Sequence, residues 1–174
     1  MKKLPLRKTL LLCAIVLLSC VWAIQLYQDS RETTEYLTIA EPVDSIEITR
    51  SGFPPLTLIR SADMWYVGEP QYQADPDLAK SLVDAVSTIK ILGTVSANAT
   101  QGEWGLEEQS RIVVKAFTGT KDVRTIHIGK TAVTSRQSYA QMDGAERVVL
   151  VDGNLHDLFG KTREELLVKE ESKE

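Results

Sequence analysis

Ile112-Val113-Val114-Lys115-Ala116-Phe117, Thr118-Gly119-Thr120-Lys121-Asp122 and Val123-Arg124-Thr125-Ile126-His127-Ile128 form the stretch that decides the fold. Two runs rich in β-branched residues flank a polar segment containing glycine, which reads as strand, turn, strand. Alternation along the second run places His127 on one face with Val123 and Thr125, opposite Ile126 and Ile128.

The same pattern extends in both directions. Downstream, residues 138–142 and 147–151 flank Asp143-Gly144-Ala145-Glu146, a hairpin signal with Asp-Gly at its head. Upstream, residues 45–49 alternate with period two, and 56–59 and 64–67 are further short apolar runs. Ser51-Gly52-Phe53-Pro54-Pro55 is a turn cluster between the first two. Residues 68–74 read as a loop and 94–102 are polar. Between them Asp75-Pro76-Asp77 opens a helix, with Asp75 as cap, Pro76 at the first position and Asp77 at the positive end. Leu78, Leu82, Val86 and Ile89 form its apolar stripe, which stops before Gly93. Residues 154–159 predict a short helix, and Thr162-Arg163-Glu164-Glu165 predicts a capped last one.

Residues 43–89 and 111–159 share a plan of antiparallel strands followed by a short helix. The expected fold is therefore α+β, with two antiparallel β-strand/short-helix units as a pseudo-repeat after an N-terminal transmembrane helix.

That helix is expected over 9–28, an uncharged run of twenty residues that spans about 30 Å as a helix. Lys2, Lys3, Arg7 and Lys8 precede it and Asp29, Glu32 and Glu35 follow, which orients the N-terminus inside. Three outcomes are weighed for the run: a retained anchor, a signal segment cleaved near Ala23, or a lipid attached at Cys20 in Leu17-Leu18-Ser19-Cys20. All three predict export. The organisation expected is a cytoplasmic basic segment 1–8, an anchor 9–28, a stalk 29–42, an exported domain 43–168 and a charged tail 169–174. The location expected is the inner membrane, single-pass, with the C-terminal domain extracytoplasmic.

The chain has 174 residues and a net charge of −4, so without its four N-terminal cations the rest carries −8. That balance repels phosphate backbones, so no nucleic-acid partner is expected. Both cysteines, Cys13 and Cys20, lie in the apolar run, which leaves no disulfide or thiolate site for the domain.

Tests for chemistry return little. Gly160-Lys161-Thr162 resembles the end of a phosphate-binding loop, but Leu155 stands where its first glycine belongs, so no nucleotide is expected. Asp152-Gly153-Asn154-Leu155-His156-Asp157 lacks the glycine and the terminal glutamate of a calcium loop and reads as a capped turn. His127 and His156 have no metal or triad spacing near them, and no catalytic, cofactor or metal residue is assigned. Asn98-Ala99-Thr100 fits a glycosylation acceptor by pattern alone. Trp65, Trp104 and Tyr139 are the candidates for interaction, with core duty as the competing role.

The order Met64-Trp65-Tyr66-Val67, Tyr72-x-Ala74-Asp75, Trp104-Gly105-Leu106, His127-Ile128-Gly129-Lys130-Thr131, residues 138–144 and Val148-Val149-Leu150-Val151 resembles the bacterial domain-of-unknown-function family 4340. The likeness covers about 56–167. It implies an N-terminally anchored envelope protein, set among ABC-transporter or gliding-type components, with no known enzymatic activity. The function expected is a non-catalytic, membrane-anchored extracytoplasmic interaction module, accessory to an envelope transport or assembly complex. The alternative is a periplasmic ligand-binding module for an exported sugar, peptide or lipid.

Overall fold

The computed structural model describes residues 15–22, 34–97 and 101–168. The chain divides into two units, Met1–Thr33 and Thr34–Glu174. In the first, residues 15–22 are helical and Cys20 is exposed. The anchor expected over 9–28 is not supported: among the described residues no helix is long and apolar enough to cross a membrane. The inner-membrane location rested on that anchor and falls with it. The remainder of 9–28, the 98–100 acceptor pattern and the charged tail lie outside the described residues.

The second unit corrects the expected two-unit fold. Its strands join in one ten-stranded sheet of order β1-β6-β10-β9-β8-β7-β2-β3-β4-β5. They are β1 (Glu35–Thr38), β2 (Ser45–Arg50), β3 (Leu56–Ser61), β4 (Met64–Val67) and β5 (Tyr72–Gln73), then β6 (Thr88–Ser96), β7 (Ile112–Thr118), β8 (Lys121–Thr131), β9 (Gln137–Met142) and β10 (Val148–Asp152). Every pairing is antiparallel. The two blocks that look alike in sequence are halves of this sheet, because β2 pairs with β7 along its whole length. Hydrogen bonding between blocks is invisible to a repeat search, and here it outweighs the likeness within them.

Three stretches take unexpected roles. Helix α1 (Pro76–Ser87) begins as the capping chemistry dictates, with the Asp75 carboxylate accepting from Asp77 N at 2.9 Å and Leu78 N at 3.0 Å. It ends at Ser87, and Ile89 belongs to β6. Thr88-Ile89-Lys90-Ile91 alternates with β-branched residues, and pairing with β1 and β10 takes it over from the helix. β1 lies within the stretch read as stalk, and β5 within the stretch read as loop.

Short helices α2 (Gln101–Trp104), α3 (Leu155–Phe159) and α4 (Arg163–Leu166) complete the fold. The Asn154 side chain caps α3 by accepting from Asp157 N at 3.1 Å. Thr162 N donates to Glu165 Oε2 at 2.7 Å, which closes the expected box and holds the Glu165 carboxyl below its ordinary range. The core lies on one face of the sheet. Ile46, Ile48, Leu58, Val114, Ile126 and Ile128 from the strands meet Leu82 and Val86 of α1 and Phe159 of α3, all buried.

The sheet curls over that core. Arg124 of β8 points into it and donates from Nη1 to Leu37 O of β1 at 3.0 Å and to Val86 O at 3.2 Å. In sheet order β6, β10 and β9 stand between β1 and β8, so only a strongly coiled sheet brings them together. Arg124 thus supplies a donor to the last turn of α1, where backbone carbonyls lack partners.

Candidate functional site

The second face of the sheet is formed by the alternate residues of the same strands. Cross-strand register sets Phe117, Ser45, Ile59 and Tyr66 in one row across β7, β2, β3 and β4. A second row runs Lys115, Glu47 and Thr57, and a third runs Val113, His127 and Gln141. Most of these side chains are half-buried, and Ile59, Thr57 and Lys115 are exposed.

One bulge determines what this face presents. Thr118 pairs with Lys121 and Phe117 with Asp122, but Ala116 pairs with Arg124. Val123 is the extra residue, and it packs against the core cluster instead of sharing the face of His127. The shift sends Arg124 inward and sets His127 opposite Val113. Arg111 and His127 line a basin of about 230 Å³ together with Thr125, Gln141, Asp143 and Glu146. Partial burial pushes the His127 imidazole below its ordinary pKa, and the charges of Arg111 and Lys115 push it the same way.

Asp143 organises the rim of this basin. It sits at φ +51 in the Asp-Gly turn, where its Oδ1 accepts from Thr125 N at 2.9 Å while its own N–H donates to Thr125 O at 2.8 Å. Its Oδ2 lies 3.6 Å from Arg124 Nε, which has no hydrogen-bond partner. Burial lowers the Arg124 pKa, and the Asp143 charge opposes that shift.

The three aromatic candidates part company. Trp104 and Tyr139 come together, with ring centroids 4.8 Å apart and planes tilted by 59°. They cover one end of the second face, where Gly129 of β8 leaves no room for a side chain: a Cβ there would overlap the Trp104 carbonyl oxygen. Gly105 adopts φ +69 against Lys130, and Leu106 beside it is fully buried. The Trp-Gly-Leu element is thus a latch seated on a glycine of the sheet. Trp65 lies elsewhere. It packs partly on the core and lines a groove of about 300 Å³ with Met64, Ala74, Pro76, Lys80 and Val83, between β4 and α1.

Among the described residues His127 has no hydrogen bond to a carboxylate or hydroxyl, and no group of three or more His, Cys, Asp or Glu side chains is placed to hold a metal. Alternation set His127 opposite Ile126 and Ile128, but Arg111 gave no signal and the bulge that aligns the strands has no sequence mark. Arg124 gave no signal, since an arginine between Val123 and Thr125 reads as surface.

A family model described as Domain of unknown function (DUF4340) matches residues 65–172. No curated protein and no solved structure matches.

Proposed function

The chain belongs to the DUF4340 family, and on that premise we propose that it is a non-catalytic interaction module, accessory to an ABC-type transport or assembly complex. One observation carries the reading: among the described residues of the second unit, α1, α3 and α4 serve a single face of the sheet, and the other face has no helix apart from the latch at Trp104. That second face mixes Ile59, Tyr66 and Phe117 with Glu47, Lys115 and His127. Aromatic and aliphatic area among polar groups is the composition of a protein contact surface. The test is affinity capture from native cells with wild type and Ile59→Asp. The exposed Ile59 tolerates the change, so the fold stays intact and the captured transporter or assembly subunit is lost. Equal capture by both, at equal stability, contradicts the proposal.

The groove at Trp65 favours a second reading, a ligand-binding module for an exported sugar, peptide or lipid. Its volume of about 300 Å³ sits at the lower bound for small-molecule sites. Trp65→Ala separates the readings: it abolishes ligand binding under the second and leaves partner capture unchanged under the first.

A further inference from the structure

We propose that the basin at Arg111 and His127 binds a carboxylate side chain of an acidic partner segment. The inference rests on the second face being a contact surface and names the chemistry of what it contacts. Arg111 immediately precedes β7 and Lys115 lies on it, so in sequence the two cations flank Val113, the residue that pairs with His127. Neither the Arg111 nor the Lys115 side chain has an ion pair among the described residues. In a chain of net charge −4, two cations without an ion pair act on a half-buried imidazole, although Glu47 stands opposite Lys115 in the register, and they make a local positive centre at His127. Such a centre selects a small anion and steers it.

The surroundings decide which anion. The groups around His127 are Arg111 just before β7, Lys115 on β7 with Glu47 of β2 opposite it, Gln141 from β9, Thr125 on its own strand, and Asp143 and Glu146 from the turn after β9. Asp143 is committed to Thr125 N and Arg124, which leaves its charge at the rim. Glu146 accepts from Gln141 Nε2 through its backbone oxygen, and its side chain is exposed. Two rim carboxylates repel a polyanion or an anionic lipid surface, while a basin of about 230 Å³ admits one side chain. A single carboxylate satisfies Arg111 with charge-assisted hydrogen bonds and adds little repulsion. A bound carboxylate also favours the imidazolium form, so binding draws a proton onto His127 and strengthens as the pH falls through its titration.

His127 and His156 are the two histidines of the chain, so proton NMR reads the site with an internal control. The full chain is titrated with a capped hexapeptide of five glutamines and one glutamate, with capped hexaglutamine and with inorganic phosphate. The single-glutamate peptide is expected to shift the His127 ring signal saturably and raise its pKa, leaving His156 and the hexaglutamine and phosphate titrations flat. Arg111→Gln is expected to weaken the peptide roughly tenfold or more. Lys115→Gln, at an exposed position, weakens it less and serves where the first variant unfolds. An unmoved His127, equal shifts at both histidines, or a response to phosphate alone overturns the proposal. Partner capture that depends on Ile59 yet ignores both cation substitutions overturns it too, while leaving the interaction reading intact.

Discussion

The two faces of one sheet are built from alternate residues of the same strands, yet they answer to different physics. On the covered face, Ile46, Ile48, Val114, Ile126 and Ile128 are buried to 1% exposure or less against α1 and α3. On the other, Glu47, Lys115, Thr125 and His127 alternate with them and keep partial access to water. The first face supplies stability, because apolar area leaves water there. The second adds little to stability, which frees its composition for recognition. An antiparallel sheet allows this division because one side can remain solvated.

That contrast breaks most sharply at Phe159, the largest side chain buried at the helix side. Phe159→Ala is expected to cost about 3–5 kcal/mol by denaturant unfolding, from lost transfer energy plus the cavity left behind. Next comes Arg124→Ala, about 3 kcal/mol, because two carbonyls under the curl of the sheet, at Leu37 and Val86, lose a charged donor. Gly129→Ala forces the Trp104 carbonyl off the strand and is expected to cost about 2 kcal/mol, with the indole fluorescence reporting the displaced latch. Lys115→Ala on the second face is expected to stay within about 0.5 kcal/mol of wild type.

A pH series sharpens the comparison further. The folded His127 titrates below the unfolded imidazole, whose pKa is about 6.5. The folded state therefore binds fewer protons, and the stabilisation is complete above about pH 6.5. It is lost as the pH falls through the lowered folded value. His127→Gln should be less sensitive to pH than wild type in that window, measured as the difference in melting temperature.

Much of the sheet was legible from residues. Alternation located β2 and β8, short apolar or β-branched runs located β3, β4 and β7, and Asp143-Gly144 marked the β9–β10 turn, since local chemistry fixes such turns. The cap at Asp75 and the box at Thr162 were equally readable. What was lost lies between segments. The β2–β7 pairing that merges two apparent units has no local signature, and β6 resembled a helix end because Ile89 continues the stripe of Leu78, Leu82 and Val86. The basin shared this fate. Arg111 and His127 meet through a one-residue bulge at Val123, and the hairpin turn alone implies a register that is off by one. Of the aromatic candidates, Trp104 and Tyr139 meet as a tilted pair, and Trp65 stands apart in its own groove.

The proposed role requires the second face of the sheet to meet the partner. Site-specific photocrosslinking in native cells tests it directly, with a benzophenone side chain at Ile59 on that face or at Ser81 on the exposed side of α1. A discrete protein adduct is expected from Ile59 and none from Ser81. An adduct from Ser81 alone, or from neither position in cells that hold the intact complex, would contradict it.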